Sequence, residues 1–438
     1  MKNIVILVAS LVGNVLAYSQ NGNFVEKKIV CKDSIERPFV IYTPENYQKD
    51  TQIPMVVFLH GAVGNPNLKS NPLYYAQQSN WLKLADEGNF MMVFPFGQKH
   101  TTWFDAVGTD MIQKIQTATI QEFSVNTNQV FLAGFSDGAS GVMYQYLTNN
   151  SSYAGFFALC GSLNIAEKLG EISLYPTNAN EKPIYIINTT EDPLYPVNQI
   201  TKSIEHLQNY QPNVVYFTEE ASHDMSYLEN RSQEIIDFIK NNKKHTPFEI
   251  NLSLDENVAI SYSWLTINDF IKEKLPIDYS VKIINDKADF GVSYDFSYQG
   301  DGLKIKSFKK DSALEKMGAK VGDVILKMGE IAMENGYSPF GYLPYKKASD
   351  EAEVTLLRNE EKIVLKGTFN PAKEYSIFNK QPNAVIHAKI VNDELIINCK
   401  GVQSFSIHQN LLPKTISTFI LNDKKMNAVF DTPIQCEN

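Results

Sequence analysis

The segment Val130–Ser140 reads V-F-L-A-G-F-S-D-G-A-S. An apolar run ends at Gly134-Phe135, and a serine then stands between two glycines. Small neighbours favour a sharp turn from a strand into a helix, because such a turn leaves no room for larger side chains. The pattern Gly-x-Ser-x-Gly therefore predicts that Ser136 lies on a strained turn with its hydroxyl lifted above a sheet. The alternative is an ordinary strand-to-helix turn, and the surrounding sequence must decide between the two.

The region from Phe24 to Lys243 alternates strand-like and helix-like patterns. Its later predicted strands are nearly continuous apolar runs, as is typical of parallel strands covered on both faces. Interleaved strands and helices of this kind predict an α/β fold with an open, mostly parallel sheet. The predicted strands are Phe24–Cys31, Arg37–Thr43, Pro54–Leu59, Asn89–Pro95, Gln129–Phe135, Ala154–Cys160, Pro183–Thr189 and Asn213–Thr218. The predicted helices are Asp110–Phe123 (with Asp110 as a candidate N-cap), Asp137–Thr148, Val197–Gln208 and Tyr227–Asn241.

Four further stretches of this region support one family resemblance together with Asn126–Ala139. They are Leu59-His60-Gly61-Ala62, Thr102-Trp103-Phe104, Glu191–Pro196 and Ala221–Asp224. Together they resemble the secreted α/β-hydrolase esterases, and within these the polyhydroxybutyrate-depolymerase and feruloyl-esterase-like group. The resemblance implies an α/β-hydrolase sheet and ester hydrolysis by a serine, without a metal or an organic cofactor. One departure is Asp137, which stands where depolymerases of this kind have a small residue.

A serine hydroxyl is a weak nucleophile and needs a base, which in turn needs an orienting acid. In α/β-hydrolases these groups follow in the chain order serine, acid, histidine. The histidines after Ser136 are His206, His223, His245, His387 and His408. Only His223 lies on a loop between the last predicted strand and the last predicted helix of the α/β region. The sequence therefore predicts His223 as the base.

The acid is expected directly after the predicted strand Pro183–Thr189, where Glu191 and Asp192 are both candidates. Asp192 is favoured because the proline that follows it biases its backbone towards an extended or turn conformation. Asp192 also fits the family position. The predicted triad is therefore Ser136, Asp192 and His223.

Two donors are expected for the negative charge that develops on the substrate carbonyl oxygen. The backbone N–H of Asp137 is one of them. The resemblance implies that the N–H of Ala62 is the other. His60 is expected to shape this loop rather than to transfer protons. Trp103 either lines an acyl or aromatic pocket or packs in the interior, and the sequence leaves both open.

Strand-like segments dominate after Lys243, and one stretch among them is distinctive. Gly302–Gly329 reads as a strand, a short helix, a turn and a second strand. It resembles a bacterial-type PDZ domain through Gly302-Leu303, Ser312-Ala313, Met317-Gly318 and Gly322-Asp323-Val324-Ile325. The resemblance implies that the N–H groups of Phe290, Gly291 and Val292 receive the carboxylate of a peptide C-terminus. The other reading is a module that only packs on the hydrolase.

The domain prediction follows from these changes in pattern. It comprises a signal peptide at 1–19, an α/β-hydrolase domain at 20–243 and a PDZ-like domain at 275–370. The flanking segments 244–274 and 371–438 are predicted to form a small accessory β domain that the PDZ-like domain interrupts.

The N-terminus and the overall charge restrict localisation and partners. Lys2, the apolar run Ile4–Ala17 and the small residues at Ala17-Tyr18-Ser19 predict a secretory signal peptide, and hence a secreted or periplasmic protein. The run is too short for a membrane span, which needs about 20 residues, and no later segment qualifies. The formal net charge is −9 without a basic cluster, so a nucleic-acid partner is not expected.

The four cysteines carry no metal-binding spacing, so no metal is expected. Cys399 and Cys436 are candidates for a disulfide. Cys160 ends an apolar run and is predicted to be a buried thiol.

These observations predict a serine esterase that acts through an acyl-enzyme on small-molecule or polysaccharide-linked esters, with acyl or feruloyl groups as candidates. Two alternatives remain open. One is a serine peptidase of the prolyl-oligopeptidase kind, and the other is a peptide-binding scaffold with an idle hydrolase fold.

Overall fold

The computed structural model describes residues 22–63, 71–97, 101–255, 260–336, 338–427 and 429–436. The predicted signal peptide lies outside these residues. The chain divides into two compact units. Unit 1 comprises the residues up to Thr189, Ile204–Tyr279 and Phe378–Asn438, and unit 2 comprises Thr190–Ser203 and Ser280–Ile377.

Unit 1 is built on an eight-stranded sheet with the strand order β1-β2-β4-β3-β5-β6-β7-β8. The strands are β1 Asn23–Val30, β2 Glu36–Thr43, β3 Ile53–Leu59, β4 Met91–Pro95, β5 Val125–Phe135, β6 Gly155–Leu159, β7 Ile184–Thr189 and β8 Val214–Glu219. The six strands from β4 to β8 in this order run parallel, and β1 and β2 are antiparallel to their neighbours. The sheet confirms the predicted α/β fold.

Helices alternate with these strands, as the sequence predicts. They are α1 Pro72–Gln77, α2 Trp81–Gly88, α3 Ala106–Glu122, α4 Asp137–Thr148, α5 Leu163–Leu169, α6 Val197–Gln208 and α7 Ser232–Asn241. The predicted N-cap Asp110 is wrong, because α3 begins at Ala106 and Asp105 accepts a hydrogen bond from the Gly108 N–H at 2.7 Å. The predicted helix Tyr227–Asn241 is a 3-10 turn at Ser226–Leu228 followed by α7. Strands β4 and β6 are buried along their full length, which explains their continuous apolar sequence.

Strands dominate the rest of the chain. They are β9 Glu249–Leu254, β10 Ile260–Tyr262, β11 Leu265–Phe270, β12 Val281–Asn285, β13 Val292–Tyr294, β14 Leu303–Phe308, β15 Val324–Met328, β16 Ile331–Ala332, β17 Glu351–Arg358, β18 Glu361–Thr368, β19 Lys373–Ile377, β20 Ala384–Val391, β21 Glu394–Lys400, β22 Val402–Ile407, β23 Thr418–Leu421, β24 Lys424–Met426 and β25 Ile434–Gln435. The short helix α8 spans Ala313–Lys316.

Unit 1 contains two further sheets, with the orders β24-β23-β21-β20-β9 and β10-β11-β22-β25. Strands from the two flanking segments pair in both sheets, β9 with β20 and β11 with β22. Their buried side chains form one core that includes Trp264, Phe405 and Phe419. The Sγ atoms of Cys399 and Cys436 lie 3.0 Å apart in this region.

Unit 2 contains a sheet with the order β13-β14-β15-β17-β18, to which β16 adds on β15, and a separate pair of β12 with β19. Helix α8 follows β14, and the Ser312 side chain caps it by accepting the Glu315 N–H at 3.2 Å. Gly318 and Gly322 have φ angles of +103° and +92°, a backbone conformation that favours glycine. The elements from β14 to β15 thus follow the predicted strand, helix, turn and strand.

Across the described ranges, no helix combines the length and apolar character of a membrane span.

Candidate active site

The turn between β5 and α4 holds Ser136 in a strained backbone conformation. Its φ and ψ angles are 58° and −119°, which are unusual for a residue with a side chain. The two glycines of the motif are required by close packing. A Cβ atom at Gly138 would lie 1.9 Å from the Leu59 carbonyl oxygen, and one at Gly134 would lie 2.4 Å from the Gly138 backbone. The sequence motif therefore serves a turn that only small neighbours can form.

Ser136 and His223 meet in hydrogen-bond geometry. The Oγ atom of Ser136 lies 2.8 Å from Nε2 of His223. Ser136 is 9% exposed, and its own N–H donates to the Leu159 carbonyl oxygen at 3.0 Å. The distance and the partial exposure are what a nucleophile and its general base require. His408 Nε2 also lies 2.8 Å from a hydroxyl, that of Thr266, but Thr266 lies within β11 and not on a strand-to-helix turn.

The loop that carries His223 follows β8 and rests on buried polar side chains. The Thr189 hydroxyl donates to the Ser222 carbonyl oxygen at 2.6 Å, and Cys160 Sγ lies 3.6 Å from the Asp224 carbonyl oxygen. Cys160 Sγ also lies 3.7 Å from the Thr189 hydroxyl and from the Tyr227 hydroxyl. Both carbonyl oxygens flanking His223 in the chain therefore have buried donors beside them.

The supporting roles of Thr189 and Tyr227 were missed by the sequence reasoning, which identified only Cys160 as buried. Burial, and then the neighbouring Cys160 thiol, raise the pKa of Tyr227 well above its usual value, so its hydroxyl keeps its proton. Cys160 Sγ lies within 4.8 Å of a ring nitrogen of His223. A thiol and an imidazole are both ligands for soft metal ions, but this imidazole is already engaged by Ser136.

Asp192 follows β7 in the chain and belongs to unit 2. Its carboxylate is 5% exposed and accepts hydrogen bonds from the N–H groups of Leu194 and Tyr195 at 2.8 and 2.9 Å. The neighbouring candidate, Glu191, is exposed. Asp192 is thus buried and fixed in orientation, whereas Glu191 is exposed.

The loop after β3 contains the predicted donor residue Ala62. Ala62 is exposed and has a φ of 49°, another left-handed angle at a residue with a side chain. His60 is buried, and its Nδ1 lies 2.7 Å from the Gly61 carbonyl oxygen. Because a carbonyl oxygen only accepts, Nδ1 of His60 is the protonated ring nitrogen. His60 therefore contacts the loop itself, as the sequence suggests.

Trp103 contacts the same loop through His60. Its side chain is fully buried, and its Nε1 donates to the His60 carbonyl oxygen at 2.9 Å. Its ring contacts the His60 ring edge-on at 5.1 Å between centroids. The indole thus packs in the interior in this structure, and a role of Trp103 in a substrate pocket stays a prediction.

The Asp137 side chain has a partner that the sequence reasoning missed. Its Oδ2 accepts a hydrogen bond from the Val63 N–H at 3.1 Å. The backbone N–H of Asp137 is the first of α4 and has no acceptor within the helix. Asp137 thus combines a main-chain N–H without an acceptor in its own helix with a side chain that contacts the Ala62 loop.

In unit 2, the predicted peptide-binding residues lie where β13 begins. The Phe290 side chain is buried, and its carbonyl oxygen accepts from the Ser312 hydroxyl at 2.7 Å. Gly291 has a φ of +69°, and its N–H already donates to the Asp289 carboxylate at 2.8 Å. In this structure a carboxylate of the chain itself therefore accepts the Gly291 N–H, and its role in binding a peptide carboxylate stays a prediction.

Comparison with known proteins bears on the α/β region. Residues 43–243 match the family of phospholipases and carboxylesterases. A bifunctional acetylxylan esterase/xylanase of Neocallimastix patriciarum is 28% identical over 132 residues. These residues are 30% of this chain, and they cover only 18% of that enzyme. Both similarities lie within the α/β region, and the chain spans less than a fifth of the length of this relative.

Several solved structures align with about half of this chain. An S-formylglutathione hydrolase from Agrobacterium tumefaciens is 12% identical, with 51% of this chain and 96% of that one covered and a TM-score of 0.42. A ferulic acid esterase is 13% identical, with 50% and 98% covered and a TM-score of 0.41. An acylaminoacyl peptidase from Pyrococcus horikoshii is 14% identical, with 52% and 43% covered and a TM-score of 0.40.

Proposed function

We propose that this chain is a serine esterase that hydrolyses carboxylic esters through an acyl-enzyme, with Ser136 as nucleophile and His223 as base. The 2.8 Å contact between Ser136 Oγ and His223 Nε2, on a strained turn after β5, carries the proposal. The match of residues 43–243 to phospholipases and carboxylesterases supports an ester substrate. Export through the segment 1–19 is part of this proposal, and N-terminal sequencing of the mature protein tests it.

The proposed reaction begins when Ser136 Oγ attacks the ester carbonyl carbon and gives its proton to His223 Nε2. The carbonyl oxygen becomes an oxyanion and accepts hydrogen bonds from the N–H groups of Asp137 and Ala62. The carbonyl then re-forms as the C–O bond to the alcohol breaks, the alcohol oxygen takes the proton from Nε2, and an acyl group remains on Ser136. Water repeats the sequence with the same base and releases the acid. This scheme needs no metal and no organic cofactor.

Asp192 is proposed as the acid whose carboxylate accepts a hydrogen bond from the protonated Nδ1 of His223. Its buried carboxylate is held by the N–H groups of Leu194 and Tyr195, so its orientation is fixed. A fixed acid keeps the imidazole in the tautomer in which Nε2 accepts from the serine. Asp192→Asn is expected to lower kcat by about 10³- to 10⁴-fold, because the wrong tautomer is then favoured.

Acyl or feruloyl esters of carbohydrates are the proposed substrate class. The similarity to an acetylxylan esterase/xylanase supports this class. Asp137, where depolymerases of this kind have a small residue, argues against a polyester.

The proposed function is tested with a series of nitrophenyl esters of increasing acyl length and with methyl ferulate. Wild-type protein and Ser136→Ala are compared, and a nitroanilide of the preferred acyl group is included. Ester hydrolysis by the wild type alone supports the esterase. Equal activity on the anilide would favour the peptidase of the prolyl-oligopeptidase kind. Absence of any turnover by folded wild type would favour the scaffold with an idle hydrolase fold.

Unit 2 is proposed to bind a peptide as a second function. The observation that favours it is that β13 is the last strand of its sheet, so within the described residues its outer edge is unpaired. An extended peptide would add to such an edge by main-chain hydrogen bonds. Fluorescence anisotropy with a peptide library tests this, using each peptide with a free and with an amidated C-terminus. Preference for the free carboxylate supports a role for Phe290–Val292, and no binding by any peptide would contradict it.

A further inference from the structure

We infer that the side chain of Asp137 is a positioning residue that holds the oxyanion loop, defined as Gly61–Val63, beside the nucleophile. The inference rests on the proposed function and assigns a role to the residue that departs from the depolymerase resemblance. Asp137 would thus act twice, with its backbone N–H as an oxyanion donor and with its carboxylate as the support of the other donor.

The oxyanion loop is under backbone strain and needs support. Ala62 has a φ of 49° and is exposed, so its own side chain gains little from packing. The approach of the loop to the nucleophile is also close, because a Cβ atom at Gly61 would lie 3.0 Å from Ser136 Cβ. A strained segment persists only where surrounding contacts fix it.

Two side chains supply such contacts to successive peptide groups of the loop. The Gly61 carbonyl oxygen, which shares its peptide group with the Ala62 N–H, is held by His60 Nδ1 at 2.7 Å. The next peptide group, between Ala62 and Val63, is held by Asp137 Oδ2, which accepts the Val63 N–H at 3.1 Å. Peptide groups are planar, so fixing both of them fixes the backbone angles of Ala62 and the direction of its N–H.

The charge of Asp137 does not account for its position. A carboxylate close to a developing oxyanion repels it, which would oppose the reaction. The accepted hydrogen bond is what the observed geometry provides. An asparagine keeps an acceptor oxygen of the same reach and removes the charge, whereas an alanine removes both.

The test compares wild type, Asp137→Ala and Asp137→Asn, with Asp237→Ala as a control that removes one carboxylate from the exposed face of α7. Two quantities are measured: kcat and KM for nitrophenyl acetate, and the rate constant for labelling of Ser136 by a fluorophosphonate. Asp137→Ala is expected to lower kcat and the labelling rate by about 10- to 100-fold, with KM changed by less than about 3-fold. Asp137→Asn is expected to stay within about 3-fold of the wild type, and Asp237→Ala likewise.

Two kinetic results would overturn the inference. The first is an Asp137→Ala variant with the kcat and labelling rate of the wild type. The second is an Asp137→Asn variant that loses as much as Asp137→Ala, since that result would assign the role to the charge. Because labelling needs no ester turnover, the inference is tested even if the wild type hydrolyses none of the esters. A wild type that neither hydrolyses nor labels overturns the proposed function and this inference together. If Asp137→Ala does not fold, Asp137→Ser replaces it. Failure of both to fold would overturn a specific positioning role.

Discussion

Two motifs pair glycine with aspartate, one in each unit, and their aspartates serve different ends. In Gly134–Gly138 of unit 1, Asp137 follows a strained serine, and its carboxylate contacts a neighbouring loop. In Gly318–Asp323 of unit 2, the Asp323 carboxylate is buried. It accepts hydrogen bonds from Nε and Nη2 of Arg358 at 2.8 and 2.7 Å, and one from the Lys320 backbone N–H at 2.7 Å. The Ser136 hydroxyl of the first motif contacts His223 at 2.8 Å, while the second motif uses its carboxylate within the fold. The difference shows that a glycine-aspartate pattern indicates chemistry only where it also brings a candidate nucleophile against a candidate base.

The largest effect separates the two units by activity. Ser136→Ala removes the nucleophile, and ester hydrolysis is expected to fall by about 10⁴-fold or more, while the melting temperature stays near that of the wild type. Ser293→Ala, at an exposed serine of β13 in unit 2, is the control and should leave hydrolysis unchanged. Comparable loss in the two variants would refute a special role for the first motif.

The second comparison concerns the glycines themselves. Gly138→Ala places a Cβ atom 1.9 Å from the Leu59 carbonyl oxygen, so it should lower the free energy of unfolding by about 4 kcal/mol or more. Gly322→Ala has open space around its Cβ atom and strains only a φ of +92°, which costs about 1–2 kcal/mol. Urea unfolding of both variants measures the difference. Equal destabilisation would mean that close packing at the serine turn is not the limiting constraint.

The third comparison concerns the carboxylate of Asp323 in the second motif. Burial raises the pKa of this carboxyl, but hydrogen bonds from Arg358 and from the Lys320 N–H outweigh burial and keep the pKa below its usual value. Asp323→Ala should therefore destabilise the protein by about 2 kcal/mol at pH 7 without changing kcat. The contribution of the carboxylate is complete above the unfolded-state pKa and is lost as pH falls through the lower folded-state pKa. Unfolding followed at pH 2 to 7 should show a shallower acid limb in the variant, and an unchanged limb would contradict this.

The smallest effect concerns a buried cation that, unlike Asp323, has no ion-pair partner within the described chain. Lys182 Nζ donates to the Tyr153 carbonyl oxygen at 3.0 Å, and burial, followed by the charge of Lys244, lowers the Lys182 pKa to about 8. Each pKa unit corresponds to about 1.4 kcal/mol, so the charged form costs stability at pH 7. Lys182→Met is expected to stabilise unit 1 by about 1–2 kcal/mol after the lost hydrogen bond is deducted.

The sign of its pH dependence follows from the lowered pKa. Between about pH 8 and 10.5 the unfolded state binds more protons at this lysine, so wild-type stability gains from this residue as pH rises. Lys182→Met should remove that gain, so the difference between the two proteins should shrink from pH 7 to pH 10. A constant difference across this range would contradict the assignment.

Local patterns predicted much of unit 1. The apolar runs before Ser136 and the turn residues around it are set by neighbours in the sequence, so the strand, the turn and the helix were all predictable. The contact of His223 with Ser136 was predictable because His223 follows the last strand of the α/β region. The start of α3 was not, because Asp105 and Asp110 are both good N-caps, and only the contact between Asp105 and the Gly108 N–H decides between them.

Contacts between distant segments explain what the sequence reasoning missed. Asp137 and Val63 are separated by 74 positions, and Thr189 and Ser222 by 33, so no periodicity or motif reveals that they meet. The burial of Trp103 depends in the same way on its contact with His60, 43 positions away. The occupied N–H of Gly291 is different, since Asp289 is only two residues away, and an Asx turn at this site was a pattern that sequence analysis could have weighed.

The most direct test of the central claim is the mass of the protein after treatment with a fluorophosphonate, with the modified peptide identified. The account predicts one adduct on Ser136 in the folded wild type and labelling at least about 100-fold slower in His223→Ala, because the base no longer activates the hydroxyl. Folded wild type that stays unlabelled, or labelling that His223→Ala leaves unchanged, would contradict the assignment of Ser136 and His223 as nucleophile and base.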